Sequence, residues 1–229
     1  MKISKGYVIE KRPANDTDAF VKIVSPEGVS GFIVPRGSHR SSDLAAVFTP
    51  FTLVNGICYS SSQGDRRVVY DHGSYEILPY GKLQDEARMR AVRVLFTAFS
   101  SLSGPFDSAL FDIFENTLRS ILFKKDDPRG IMLSFMLSYL ETEGIFPESE
   151  RCFSCGKKSD LDFFSPEGGI ICVNCAASST VRPAGDGLIR LLKYAKKNPR
   201  KILEKTHWKD EILEYYGIIK EFFDHSVHR

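Results

Sequence analysis

Four of the chain's five cysteines are spaced to hold a metal. Cys152-Phe153-Ser154-Cys155-Gly156 and Cys172-Val173-Asn174-Cys175 form a C-x2-C-x16-C-x2-C pattern. A two-residue spacer lets two thiolates of one tight turn reach the same ion, and tetrahedral zinc takes four such ligands at about 2.3 Å. Gly156 suits the left-handed backbone that such a turn requires. Two disulfides or a redox C-x-x-C are the other chemistries this spacing admits. The N-terminus carries no apolar core of signal-peptide length to support the first, and the pairing of two motifs weighs against the second. Four thiolates leave no open coordination position. The expected site is therefore one structural zinc on Cys152, Cys155, Cys172 and Cys175, with no catalytic residues. Cys58 stands apart and reads as a small buried hydrophobe.

Other chemistry is sparse. The sequence holds no Walker A motif, no G-x-G-x-x-G after a strand and no G-x-S-x-G. Asp126-Asp127 precedes Pro128 and reads as a helix cap, not as a paired catalytic site. The expectation is a protein that is not an enzyme; an unrecognised nuclease or transferase with structural zinc is the enzymatic alternative. Positive charge supplies the second chemistry. Arg36, His39 and Arg40 fall in a Gly- and Ser-rich stretch after a strand, where guanidinium groups and backbone N–H can approach phosphates together. Lys11 and Arg12 add charge nearby, with Tyr7, Phe20 and Phe32 available for stacking or for the core. A second basic run, Arg190 to Lys209, has eight lysines or arginines and one acid, with Lys193, Lys196, Lys197 and Arg200 near its centre. A solvated helix face is the plainer reading of that run.

The elements that must position these residues change character along the chain. Short β-branched or aromatic runs at Tyr7–Ile9, Ala19–Val24, Val29–Val34, Phe51–Val54 and Val68–Tyr70 predict five strands. Ser25-Pro26-Glu27-Gly28 is a hairpin turn, and Ser60–Asp65 reads as a loop. Five short strands in about eighty residues fit an oligonucleotide-binding (OB) barrel, and equally a Tudor-like or SH3-like one. After Pro79-Tyr80-Gly81 the apolar period becomes helical. Helices are expected around Ala91–Phe99, Phe106–Leu122, Ile131–Leu140, Gly187–Lys197, Pro199–Thr206 and Trp208–His225. The third is apolar nearly all round and belongs at the centre of a bundle. Between the cysteine pairs, Leu161–Phe164 and Gly169–Ile171 read as a hairpin, which makes the insert a zinc ribbon. The fold class is α+β and multi-domain. Residues 1–80 form an OB-type barrel, 81–150 with 179–229 a helical domain, and 151–178 the inserted ribbon.

Composition constrains the rest. With 42% hydrophobic and 26% charged residues in 229, the chain is neither collagen-like, disordered nor a disulfide scaffold. The longest apolar stretch is too short to span a bilayer, so a cytoplasmic protein without membrane contact is expected. The net charge of +2 is a cancellation. Residues 1–82 carry ten bases and eight acids, 83–181 ten and fourteen, and 182–229 eleven and seven.

Taken together, the N-terminal and cysteine segments resemble the bacterial RecO family of recombination and DNA-repair proteins. The matching residues include Gly6-Tyr7-Val8-Ile9, Asp18, Gly28, Arg36-Gly37-Ser38-His39-Arg40, Leu44 and Thr49-Pro50-Phe51. Gly144, Phe146-Pro147, the four cysteines, Gly156 and Gly168-Gly169 complete the match. The resemblance covers nearly the whole chain. It implies binding to single- and double-stranded DNA and annealing of complementary strands without ATP. It also implies partnership with RecR and with the tail of single-strand DNA-binding protein, in support of RecA, at the nucleoid. A zinc-ribbon adaptor that holds a protein and touches nucleic acid weakly is the alternative binding class.

Overall fold

The computed structural model describes residues 2–35, 47–62, 65–69, 74–78, 83, 85–102, 105–177, 181–198, 201 and 211–227. They fall into two compact units, Met1–Leu118 and Arg119–Arg229.

The first unit is built on six strands: β1 (Lys2–Pro13), β2 (Ala19–Ser25), β3 (Gly28–Val34), β4 (Thr52–Ser62), β5 (Asp65–Val69) and β6 (Ser74–Ile77). Their order is β1-β2-β3-β5-β4-β6, and β1 pairs additionally with β4. Pairings are antiparallel except between β3 and β5, whose parallel link is the single register pair Ile33–Arg67. The β2–β3 hairpin closes with Ser25 opposite Gly28, around the turn anticipated from Pro26-Glu27. Alternation then sorts the side chains. Ala19, Val21 and Ile23 are buried while Phe20 and Lys22 are half-buried. Ile3, Val8, Val21, Ile23, Phe32, Val34, Val54 and Ile57 form the sheet's core. Ser60–Ser62 correct the loop expected there. They complete β4, with Ser60 opposite Arg67 and Ser62 opposite Asp65. Cross-strand pairing outweighs the turn preference of the serines.

Two helices follow, α1 (Glu86–Ser100) and α2 (Ser108–Phe123). Asp85 caps α1 by accepting the Ala87 N–H at 2.9 Å, and Asp107 accepts that of Ala109 at 2.8 Å. Within the first unit the Tyr7 ring packs at a tilt against Phe111 and Phe114, and Phe114 stacks on Phe96 and meets Phe99 edge to face. The Tyr7 hydroxyl donates to Glu115 at 2.7 Å, and Lys5 pairs with the same carboxylate. The division between units falls inside α2.

The second unit centres on α3 (Pro128–Thr142). Asp127 caps it and Pro128 occupies its first turn, as the Asp-Asp-Pro sequence anticipates. Its residues from Gly130 to Leu140 are buried almost all round. Phe135 and Tyr139 both contact Phe223 of α6 (Ile212–Val227). Between them lie β7 (Phe163–Ser165), β8 (Gly169–Ile171), α4 (Val173–Ala176), β9 (Arg182–Pro183) and α5 (Gly185–Lys197). The hairpin β7–β8 is the one anticipated between the cysteine pairs, and β9 adds a third strand to it. The architecture is α+β. Among the described residues no helix is long and apolar enough to cross a membrane.

Candidate metal centre and basic surface

The four cysteines predicted as ligands are brought together. Their sulfur atoms all lie within 4.8 Å of one another, and Cys155 Sγ is 3.7 Å from Cys172 Sγ. A disulfide needs about 2.05 Å. Thiolates around a tetrahedral zinc at about 2.3 Å sit about 3.8 Å apart, so the spacing fits a metal and not a crosslink. Each turn is fixed by backbone bonds. Gly156 N–H donates to Cys152 O at 2.9 Å with a φ of 78°, and Cys152 N–H donates to Lys157 O at 2.7 Å. In the second turn Cys175 and Ala176 both donate to Cys172 O at 3.0 Å. Phe153 N–H donates to Ile170 O at 2.8 Å, tying the first turn to β8. Cys152 and Cys172 are buried, Cys175 is half-buried and Cys155 is exposed.

The electrostatics of the set favour a cation. Burial pushes the Cys152 thiol up, but donation from the backbone around Cys172, Cys155 and Ser154 outweighs it and brings the thiol down to about 6. Cys175 is pushed up to about 12 by its hydrogen bonds with the Cys155 and Cys172 sulfurs, with burial adding. Deprotonation is eased at Cys152 and opposed at Cys175. Four thiolates crowded within 4.8 Å repel one another, and a positive ion among them is what offsets that repulsion.

The basic positions separate. Arg36, His39, Arg40 and Arg200 lie outside the described residues. Lys11 and Arg12 are consecutive in β1, so the pleat sends them to opposite faces. Lys11 stands opposite Val21 of the core, whereas Arg12 stands opposite Phe20. Burial lowers the Lys11 ammonium below its ordinary range. Arg12 is 60% exposed, and its guanidinium carbon lies 4.3 Å from the Phe20 ring centroid. On α5, Arg190, Lys193, Lys196 and Lys197 are all exposed, while Leu188, Leu191, Leu192 and Ala195 are buried. At 3.6 residues per turn the four cations lie within an arc of about 120°. Of the three aromatics left open in β1 to β3, Tyr7 and Phe32 are core, each 1% exposed. Phe20 is the one that faces outward beside a cation. Gly31, opposite Lys22, leaves room for that ring, and a glycine inside a strand is the sequence signal of such a close approach.

Residues 103–229 match the family model described as Recombination protein O C terminal. The chain is 20% identical to the DNA repair protein RecO of Thermoanaerobacter sp. (strain X514) over 231 positions, covering 98% of this chain and 88% of that protein. Against the DNA repair protein RecO of Streptomyces avermitilis it is 27% identical over 195 positions, 81% of this chain and 79% of the relative. The DNA repair protein RecO of Cutibacterium acnes is 29% identical over 192 positions, 78% of this chain and 76% of its own length.

Proposed function

Because the chain belongs to the RecO family, whose curated members are DNA repair proteins, we propose that it is a non-enzymatic mediator of homologous recombination. It binds single- and double-stranded DNA, anneals complementary strands without ATP, and helps RecA load together with RecR. The tail of single-strand DNA-binding protein is its second protein partner, and the nucleoid in the cytoplasm is its place of work. The observation that carries this reading is the exposed cation stripe on α5. Annealing needs two polyanions held close while their charge is neutralised and their bases stay accessible. Four cations on one face of a helix, with its other face buried, supply a share of that neutralisation. Arg12 supplies a further exposed cation on the first unit, and Arg36, His39 and Arg40 follow it in the chain.

The strand pairings support an OB-type barrel in this role. β1 pairs with both β2 and β4, and β2 with β3, so β1 to β3 lie side by side in one sheet. Zinc is the metal that the four-thiolate donor set suits. Its work here is to hold the two cysteine turns and the hairpin between them. The test is strand annealing of complementary oligonucleotides, with neither nucleotide nor magnesium, over a series of sodium chloride concentrations. We expect acceleration that falls steeply with salt, since each neutralised phosphate releases counterions. Annealing no faster than the spontaneous rate at any salt would overturn the proposal and favour the adaptor reading.

A further inference from the structure

We propose that Arg12, Phe20 and Gly31 form a stacking platform for one unpaired nucleobase. The inference rests on the DNA-binding reading above and assigns to it a site on the first unit.

The platform follows from register. Arg12 stands opposite Phe20, Glu10 opposite Lys22, and Lys22 opposite Gly31 across the β2–β3 pair. All five therefore share the outward face of β1, β2 and β3. A Cβ on Gly31 would lie 2.7 Å from two carbons of the Phe20 ring. The missing side chain is what lets the ring lie across β3, and Arg12 then stacks on that ring at 4.3 Å. The guanidinium is held in place from the side. Glu10 Oε1 is 3.5 Å from Arg12 Nε, while Glu10 Oε2 is 3.4 Å from Lys22 Nζ. Lys22 in turn donates to Ser100 O at 2.6 Å, at the C-terminal end of α1. The carboxylate is thus anchored on the side away from Arg12.

What this arrangement suits is a base. A flat cation on an aromatic ring offers a π surface that any base can stack on, beside a charge that a neighbouring phosphate can use. The side chain keeps 60% of its surface in solvent, so the platform is open. Paired bases inside a duplex are already stacked on one another. The platform therefore discriminates in favour of single strands, and does so without reading sequence.

The experiment compares wild type with Phe20→Leu, Arg12→Lys and Gly31→Ala in the full-length protein. Each is titrated with an oligonucleotide carrying 2-aminopurine, single-stranded or in a duplex. Phe20→Leu keeps an apolar bed and removes the ring; it is expected to weaken single-strand binding about tenfold and to abolish the 2-aminopurine quenching. Arg12→Lys keeps the charge and removes the plane, so quenching is lost while the salt dependence is kept. Gly31→Ala moves the ring and has the effect of Phe20→Leu. Duplex affinity stays as in wild type for all three. Wild-type affinity and quenching in Phe20→Leu would overturn the platform, as would an equal loss on single strands and duplex. If the wild type bound neither DNA form, the DNA-binding reading itself would fall.

Discussion

Gly144 and Gly169 both hold positive φ, 71° and 121°, yet the space around them differs. Gly144 follows α3, where its N–H donates to Glu141 O at 3.1 Å and that of Ile145 to Leu140 O at 2.9 Å. This is the Schellman ending of a helix, and a Cβ there would meet nothing within 4 Å. At Gly169 a Cβ would lie 2.5 Å from both Glu148 N and Glu148 O. Glu148 forms a parallel bridge to Gly169, donating to Gly168 O and accepting from Ile170 N–H. Gly144→Ala is thus expected to cost only left-handed strain, about 1 kcal/mol. Gly169→Ala must also push the Glu148 backbone away, for a total of about 3 kcal/mol. Urea unfolding of the two variants with zinc added checks this, and equal midpoints would mean that the close approach is no constraint. The four cysteines were legible before any fold, because each pair is positioned within its own turn. The contact of Arg12 with Phe20 was not, because it depends on which residue of β2 lies opposite β1, and composition does not set register.

At the scale of elements, α5 shows how one helix serves two purposes. Its buried face is tight: a Cβ on Gly187 would lie 1.9 Å from the Tyr215 hydroxyl of α6. Its cations stand on the exposed side, with Asp186 in the first turn and Lys196 and Lys197 in the last, each suited to the helix dipole. Reversing two of them should therefore change DNA binding at a small cost in stability. We expect Lys193→Glu with Lys197→Glu to weaken oligonucleotide binding and to flatten the plot of log K against log salt by about 2. Thermal unfolding should shift by about 1 kcal/mol in all, chiefly from Lys197→Glu, which sets a carboxylate at the negative end of the helix. An unchanged slope would remove α5 from the DNA surface. The amphipathic period made α5 legible from Leu188 onward, and the apolar run of Ile131 to Leu140, interrupted by Ser134 and Ser138, did the same for α3. Two sheet elements were harder. The serines ending β4 carry turn chemistry, and β6 is only four residues, Ser74 to Ile77, too few for their alternation to stand out, with both of its apolar side chains exposed. Both are strands because a neighbour supplies the hydrogen bonds, which lies beyond any local pattern.

For the whole molecule, the division into two compact units decides how far the loss of metal should spread. The strands of the first unit pack around their own apolar core. The cysteine module has little of its own: Cys152, Ile171 and Cys172 are its buried cluster, with Leu161, Phe163 and Val181 packed at the margin. So few apolar groups offset only part of the entropy of ordering some thirty residues at about 1–2 kcal/mol each, and a metal held by the four cysteines would supply the difference. Two contacts pass the consequence to α6. Phe164 of β7 meets Phe222 with ring centroids 5.8 Å apart, and Arg182 of β9 is 2.8 Å from Glu221. Stripping the metal with a strong chelator should thus raise amide exchange at Phe153, Ile170 and Cys175 first, and then along the face of α6 that holds Phe222. The amides of Val21, Ile23 and Phe32 should keep their protection. Cys172→Ser should reproduce this pattern without chelator, and its bound zinc should fall from one per chain towards none. Retained stoichiometry in that variant would sink the four-cysteine assignment, and simultaneous loss of protection in β2 and β3 would show that the two units do not unfold separately. The expected outcome ties each chemistry to its own unit: the strand surface with Arg12 and Phe20 persists without metal, whereas the packing of Phe164 against α6 depends on it.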